Sequence, residues 1–350
     1  MFTSGTTGRP KGVEITQANY AFAGRAMAAA SDLSTDDRHI VVLPLFHANA
    51  QYYSFASAIW EGASVALMHS FSASGFLPQV ARHGATCASL FAAPMRMILA
   101  RGTKTDGVAL RHCWFAQNIT VDQHRTLTEW FGCEPRQLYG MTETIPAVLT
   151  DTGDAPRCDS MGFVTDGCSV DLHGPDGAPV GVGEVGEIVV GGVRGHTLFA
   201  GYLDDADTTE ASFRDGWFLT GDLGTLDGDG YLTLTGRRKE LIVRGGHNIN
   251  PNLIESLALR HADIDLAAAI PVPDDRLGER ACIAVMFEEG RSATIGEILA
   301  HLAGEGLSRY DMPEFWVHVA DIPLMPNGKL DKLEIQRRIG TGELVPDPVS

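Results

Sequence analysis

The 350-residue sequence contains no C-x-x-C pair, no H-E-x-x-H stretch and no long uninterrupted apolar run. Its six cysteines, Cys87, Cys113, Cys133, Cys158, Cys168 and Cys282, are scattered. That spacing excludes paired-thiol zinc and redox motifs and reads as reduced core thiols. The twelve histidines form no cluster with cysteine, so no structural transition metal is expected. Positive charge is also scarce: 27 Lys and Arg stand against 44 Asp and Glu, a formal net charge of −17. This balance argues against nucleic acid and anionic membrane surfaces as partners, yet allows a local basic pocket around a small anion. The most apolar segment, Tyr20 to Ala30, is broken by Arg25 and is too short to span a bilayer. The N-terminus lacks a basic stretch followed by an apolar run. These absences predict a cytoplasmic protein without membrane insertion. A hydrophobic content of 44% with 20% charged residues is that of a soluble globular chain, and the length allows two or more domains.

What is present is concentrated at the start. Thr3-Ser4-Gly5-Thr6-Thr7-Gly8-Arg9-Pro10-Lys11-Gly12 packs hydroxyls, three glycines and a lysine into ten positions. Glycines let backbone N–H groups turn toward an anion, the hydroxyls add donors, and Lys11 adds charge that can follow a phosphate. The loop points to a nucleoside triphosphate. It is not a Walker A sequence, because Gly5 and Gly8 are too close together and Pro10 precedes Lys11. Read alone, the alternative is an ordinary flexible Ser/Thr/Gly loop.

From Thr16 to about Gly132 helices and strands alternate. Thr16 caps a helix through Ala30. Strands are expected at His39–Leu43, Ser64–Met68, Thr86–Phe91 and Arg111–Phe115. Helices are expected at Tyr52–Trp60, Gly75–Arg82, Pro94–Ala100 and Val121–Trp130. This βαβα rhythm predicts an α/β fold with a mostly parallel sheet flanked by helices. After Thr150 glycine and aspartate become dense and short β-type runs appear, with tight turns at Asp176-Gly177 and Asp227-Gly228-Asp229-Gly230. A third texture begins near Gly236, with strands at 241–243, 264–272, 281–287 and 316–319 and helices at 251–259, 295–303 and 331–338. The predicted organisation is an α/β part over 1–155, a small barrel-like β module over 156–236 and a C-terminal α+β domain over 237–350. Residues 340–350 read as a loose tail.

Four further stretches belong with the opening loop. They are Tyr139-Gly140-Met141-Thr142-Glu143, Gly216-Trp217-Phe218-Leu219-Thr220-Gly221-Asp222, Gly236-Arg237-Arg238-Lys239-Glu240 with Gly245-Gly246-His247-Asn248-Ile249-Asn250-Pro251, and Pro326-Asn327-Gly328-Lys329-Leu330. In this order they closely resemble the adenylate-forming (AMP-binding) superfamily: acyl-CoA synthetases, carrier-protein adenylation domains and luciferases. Within it, residues 43–51, 139–145 and 192–197 are most similar to carnitine or crotonobetaine CoA ligases. Members carry a large segment before the phosphate loop, so the chain is expected to be shortened at its N-terminus. The face which that segment would cover is expected to favour a homodimer or a companion chain.

The resemblance implies a site. Thr3, Ser4, Gly5, Thr6, Thr7, Gly8 and Lys11 would hold the phosphates of ATP, and Tyr139, Gly140 and Met141 would contact the nucleotide, with Tyr139 stacking on adenine or serving as a core aromatic. Thr142 would offer its hydroxyl to the α-phosphate, and Glu143, a hard oxygen donor, would bind Mg²⁺. Asp222 would accept the ribose hydroxyls, and Arg237 would contact ribose and phosphate. Lys329 would be the catalytic lysine, whereas Lys332 reads as an ordinary surface lysine. Lys239 matches the hinge about which the small domain rotates, and Gly245 and Gly246 would leave room for the pantetheine arm of coenzyme A, or form a plain turn. His47 would line the acyl side, with Asn49 and Gln51 as a polar wall. Gln117 and Asn118 replace a glycine-rich turn, which favours a polar substrate or fills the turn differently. Three readings follow: a carboxylate ligase that forms acyl-AMP and passes the acyl group to coenzyme A; the same activation with a carrier protein or amine as acceptor; and a non-catalytic nucleotide-binding relative.

Overall fold

The computed structural model describes residues 1–3, 10–323 and 330–349. Ser4, Gly5, Thr6, Thr7 and Gly8 of the opening loop, and Pro326 to Lys329, lie outside the described residues. The chain falls into two units, Met1–Thr220 with Gly224–Leu234, and Gly221–Leu223 with Thr235–Ser350.

The first unit begins with β1 (Phe2–Thr3) and β2 (Lys11–Glu14) on either side of the glycine-rich loop. Helix α1 (Gln17–Ala30) starts at Thr16, whose hydroxyl accepts the Asn19 N–H while the Asn19 side chain accepts the Thr16 N–H. This reciprocal cap satisfies two otherwise orphaned donors. Next come β3 (Arg38–Val41), a π-helix (Asn49–Ala56) that continues into α2 (Ser57–Glu61), and β4 (Ser64–Leu67). Then α3 (Phe76–His83), β5 (Cys87–Phe91), α4 (Ala92–Arg101), β6 (His112–Ala116), α5 (Val121–Phe131) and β7 (Arg136–Tyr139) alternate. With β8 (Leu149–Thr150) and β9 (Phe163–Val164) they build a seven-stranded sheet, ordered β4-β3-β5-β6-β7-β8-β9. The first five strands are parallel and the last two pairings antiparallel.

The expected rhythm has a physical basis in two cores, one on each face of this sheet. On β6, Trp114 packs with Met27, Tyr52 and Phe199, whereas Cys113 and Phe115 pack with Phe76, Leu90 and Phe131. Successive side chains point to opposite faces, and both faces are apolar, so the strands read as continuous hydrophobic runs. One expected element is corrected. The helix placed at Tyr52–Trp60 starts at Asn49, and its first eight residues are a π-helix. Hydrophobic spacing over eight residues does not distinguish i→i+4 from i→i+5 bonding.

The glycine-rich stretch folds as β10 (Ser169–His173), β11 (Gly186–Gly191), β12 (Gly201–Tyr202), α6 (Ala206–Ala211), β13 (Phe213–Arg214), β14 (Trp217–Leu226) and β15 (Leu232–Arg237). Five of these strands form a sheet ordered β10-β11-β14-β13 with β15 on β14, a path that does not close into a barrel among the described residues. In the turn before β15, Asp227 Oδ1 accepts the N–H groups of Asp229 and Tyr231, both at 2.9 Å. Strand β12 leaves this sheet and pairs with β2, giving a small antiparallel sheet ordered β1-β2-β12.

The second unit contains β16 (Ile242–Arg244), β17 (His247–Ile249), α7 (Pro251–Ala258), β18 (Ile264–Asp274), β19 (Gly278–Phe287), α8 (Ile295–Gly304), β20 (Phe315–His318), α9 (Lys332–Gly340) and β21 (Asp347–Pro348). Its sheet runs β17-β16-β19-β20-β21, with β18 on β19. Alternation again feeds two cores: Ala267, Ala269, Ile283 and Val285 face one side, and Ala268, Ile270, Cys282 and Ala284 the other. The tail expected to be loose instead adds β21 to the edge, where Asp347 pairs with Trp316 and Pro348 with Phe315. Proline is tolerated there because an edge strand leaves one side of its backbone unpaired. Among the described residues, no helix is long and apolar enough to cross a membrane.

Candidate functional site

In the first unit the candidate residues gather at the carboxyl ends of the parallel strands, where open α/β sheets place their ligands. His47 follows β3. Its Nδ1 accepts the Asn49 N–H at 3.3 Å, and its ring meets Phe91, the last residue of β5, edge-on at 5.1 Å. Asn49 and Gln51 are the residues expected to form a polar wall beside it. Asn49 is buried within the π-helix, and Gln51 is engaged internally, donating to the Leu45 carbonyl at 2.6 Å and accepting from the Tyr20 hydroxyl at 3.0 Å.

Gln117 and Asn118 follow β6. Gln117 has a φ of +73°, a left-handed conformation that non-glycine residues adopt at a cost. Gln137 on β7 fixes this turn, with Nε2 donating to the Gln117 carbonyl at 3.1 Å and to Asn118 Oδ1 at 3.0 Å. Arg96 donates to the Asn118 carbonyl at 3.3 Å. The Tyr139 side chain lies in the first core. Gly140 is required by close approach: a Cβ there would lie 2.9 Å from Ala147 Cα and 3.0 Å from the Tyr53 hydroxyl.

Beyond it the chain is pinned to the 198–202 segment. Thr144 Oγ1 accepts the Met141 N–H at 2.8 Å, Thr144 bridges to Leu198, and the Glu143 carbonyl accepts the Phe199 N–H at 3.0 Å. Glu143 is 4% exposed, and its Oε1 accepts the Tyr202 hydroxyl at 3.0 Å. Lys11 Nζ sits over the Tyr202 ring, 4.6 Å from its centre. A cavity of about 420 Å³ opens beside Lys11 and Tyr202 and is lined also by Asp205 and Thr208. Thr3 on β1 pairs with Lys11, so the described flank of the phosphate loop belongs to the same small sheet.

In the second unit Asp222 is 2% exposed, and its Oδ1 lies 2.7 Å from Arg237 Nε. Lys239 is exposed in a single 3₁₀ turn, Arg238–Glu240. Gly245 and Gly246 have φ values of +57° and +87° and connect β16 to β17 through a two-residue turn flanked by the Arg244–His247 pair. Two successive positive φ angles are what a tight hairpin of this hand demands, so both glycines have a backbone role. Lys332 corrects the sequence reading of a plain surface lysine. It lies 2.7 Å from Glu255 Oε1, 3.6 Å from Glu240 Oε2 and 3.3 Å from Asn252 Oδ1. Burial pushes the Glu255 carboxyl up, opposed by the Lys332 ammonium and the Ala269 N–H. Lys329 lies outside the described residues, as do Ser4, Gly5, Thr6, Thr7 and Gly8.

The model of the AMP-binding enzyme family matches residues 1–203, more than half of the chain, and that of the AMP-binding enzyme C-terminal domain matches 253–329. The chain belongs to the AMP-binding enzyme family. Among family members it is 35% identical over 339 residues to a sulfoacetate–CoA ligase of Cupriavidus necator, covering 96% of this chain and 66% of that protein. It is 31% identical over 340 residues to a crotonobetaine/carnitine–CoA ligase of Salmonella typhi, with the same coverage of both chains. The chain thus spans about two thirds of the length of these relatives. Among solved structures it resembles the o-succinylbenzoate coenzyme A synthetase of Bacillus subtilis in complex with ATP and magnesium ion, with a TM-score of 0.83 and 29% identity. That match covers 96% of this chain and 69% of the other. The family resemblance read from the motifs is therefore correct, including the likeness to carnitine-type CoA ligases.

Sequence reasoning did not find Tyr202, Gln137 or Lys332. Tyr202 follows Gly201 in a stretch without motif character, and its partner Glu143 is 59 residues away. No local spacing signals such a pair.

Proposed function

We propose that this chain activates a carboxylic acid with ATP and transfers the acyl group to a thiol, that of coenzyme A. The observation that carries this reading is the buried Glu143 carboxylate, held by the Tyr202 hydroxyl, whose ring in turn seats the ammonium of Lys11. A cation and a hard anionic oxygen are thereby organised around one side chain beside the phosphate loop. Among the described residues no three His, Cys, Asp or Glu side chains form a metal cage. That suits Mg²⁺, which binds through one or two carboxylates and substrate phosphates rather than in an all-protein site. Glu143 would hold the ion, which would neutralise phosphate charge.

In the first half-reaction a substrate carboxylate oxygen attacks the α-phosphorus. The new O–P bond forms as the bond from that phosphorus to the α,β-bridging oxygen breaks, and pyrophosphate leaves with the electron pair. Lys11 and the Thr142 hydroxyl bind phosphate oxygens, and Lys329 stabilises the charge that develops between carboxylate and α-phosphate. Asp222 accepts from the ribose hydroxyls, and Arg237, already its ion-pair partner, contacts ribose and phosphate. In the second half-reaction the thiolate attacks the acyl carbonyl, the C–O bond to AMP breaks, and AMP departs. Lys239, Gly245 and Gly246 serve this second step, with the two glycines leaving room for the thiol's approach. His47, Phe91, Gln117 and Asn118 border the acid.

The test is carboxylate-dependent exchange of labelled pyrophosphate into ATP, run across a panel of acids that includes sulfonated, aromatic and betaine carboxylates. Exchange that requires an acid and disappears in Lys329→Ala supports the reading. Exchange that survives that substitution removes Lys329 from the mechanism. Nucleotide binding without exchange for any acid removes the activity. Product analysis with coenzyme A, carrier protein and amines then identifies the acceptor.

A further inference from the structure

Tyr202 touches both Glu143 and Lys11, and its own placement is fixed by the fold. It is one of only two residues in β12, a strand that leaves its neighbouring sheet to pair with β2, placing Tyr202 opposite Val13. Its backbone N–H donates to Thr209 Oγ1 at 2.8 Å, and its ring packs edge-on against Phe199, 5.0 Å between centres. The ring is thus clamped from strand, helix and core at once. From that fixed ring the hydroxyl reaches Glu143 and the π-face receives Lys11.

We propose that Tyr202 is a positioning residue: its hydroxyl aims the Glu143 carboxylate at the magnesium ion carried by ATP, and its ring holds Lys11 for the phosphates. This inference rests on the ligase reading for the identity of the ligand, and otherwise on contacts within the first unit alone. The direction of the hydrogen bond is set by chemistry. An ionised carboxylate can only accept, so the Tyr202 hydroxyl donates to Glu143 Oε1. A carboxylate that accepts at Oε1 from a clamped donor has lost its free rotation, which leaves Oε2 with a defined direction. Groups that orient a metal ligand in this way raise affinity for the ion, and their removal costs about 10- to 100-fold. The ring's contribution is separable. A cation over an aromatic face at this distance is attracted by the ring quadrupole, and phenylalanine preserves most of that attraction whereas leucine does not.

The experiment is a titration of Mg²⁺ into the purified chain with saturating ATP, followed by calorimetry, for wild type, Tyr202→Phe and Tyr202→Leu. ATP binding without Mg²⁺ is measured in parallel. Tyr202→Phe is expected to raise the half-saturating Mg²⁺ concentration about tenfold while leaving metal-free ATP binding unchanged. Tyr202→Leu is expected to weaken metal-free ATP binding as well, by about threefold. A side chain that merely fills space would shift neither curve selectively. A wild-type Mg²⁺ curve in a folded Tyr202→Phe variant overturns the proposal and leaves the ligase reading intact. Failure of the wild-type chain to bind ATP with Mg²⁺ overturns both. Tyr202→Phe retains every apolar contact, so the outcome does not depend on whether Tyr202→Leu folds.

Discussion

Two buried histidines make the first unit acid-labile, and the size of the effect can be worked out. His39 on β3 and His112 on β6 sit away from the candidate site, at the amino ends of their strands. His39 is fully buried, and neither ring nitrogen has a hydrogen-bond partner among the described residues. Burial pushes it from 6.5 down to about 4, with the Asp37 carboxylate opposing and the Arg111 guanidinium adding to the fall. Burial likewise pushes His112 down to about 3, aided by Arg111, Arg136 and His39 and opposed by Asp37. The unfolded chain takes up both protons near pH 6.5, whereas the folded chain refuses them until about pH 4 and 3. Stability is therefore complete above pH 6.5 and is lost as the pH falls. Each histidine contributes about 1.4 kcal/mol per pH unit in that window, so at pH 5 the two together remove about 4 kcal/mol. Asp37 sets the lower limit of a clean measurement. Burial raises its pKa, but bonds from Arg111, Thr86 and Ser34 outweigh that and hold it far below the usual carboxylate range. It therefore enters only below about pH 4. The assay is urea unfolding of wild type and His39→Leu at pH 7.5, 6 and 5. Leucine replaces an imidazole that makes no hydrogen bond, so little is lost at pH 7.5. At pH 5 the variant should retain about 2 kcal/mol more of its neutral-pH stability than wild type does. Equal acid losses in the two proteins would refute the reasoning.

Gln117→Gly should stabilise the first unit by about 0.5–1 kcal/mol in urea unfolding, because relief of the left-handed conformation exceeds glycine's entropic cost, whereas Gln117→Ala should bring no gain. Gly140→Ala should cost about 2–3 kcal/mol, since the added Cβ meets the Pro146–Ala147 backbone and the Tyr53 hydroxyl, and ATP binding should weaken with it as Met141 to Glu143 shift. Lys332→Met should destabilise the second unit by about 2 kcal/mol, read by denaturation, and Lys332→Met with Glu255→Gln should recover most of that loss by removing the stranded carboxylate.

The fold was legible where local chemistry and tertiary context agree. Thr16 reads as a cap and is one, because the hydroxyl and the helix it serves are three residues apart. The parallel sheet announces itself through apolar runs without alternation, which only burial on both faces produces. The motif stretches led to Glu143, Asp222 and Arg237, and the last two form an ion pair in the structure. Legibility failed where a residue's state is decided by a distant partner. Asp347 and Pro348 look like tail residues until Phe315 and Trp316 offer an edge. Lys332 looks like a solvated charge until Glu240 and Glu255 converge on it from another helix and a turn.

The cap of α1 holds one more consequence. Thr16 Oγ1 donates to the Gly195 carbonyl, and Asn19 Nδ2 donates to the carbonyls of His196 and Leu198 at 2.7 and 2.8 Å, the first of these 177 residues away. The residues flanking the phosphate loop are thus stitched to the segment that delivers Tyr202. During translation, at about 5–20 residues per second, Lys11 waits roughly 10–40 s before that segment exists. A nascent chain cannot assemble the Lys11–Tyr202–Glu143 cluster piecemeal, and under the proposed function the capacity to hold ATP would report that synthesis has passed Tyr202.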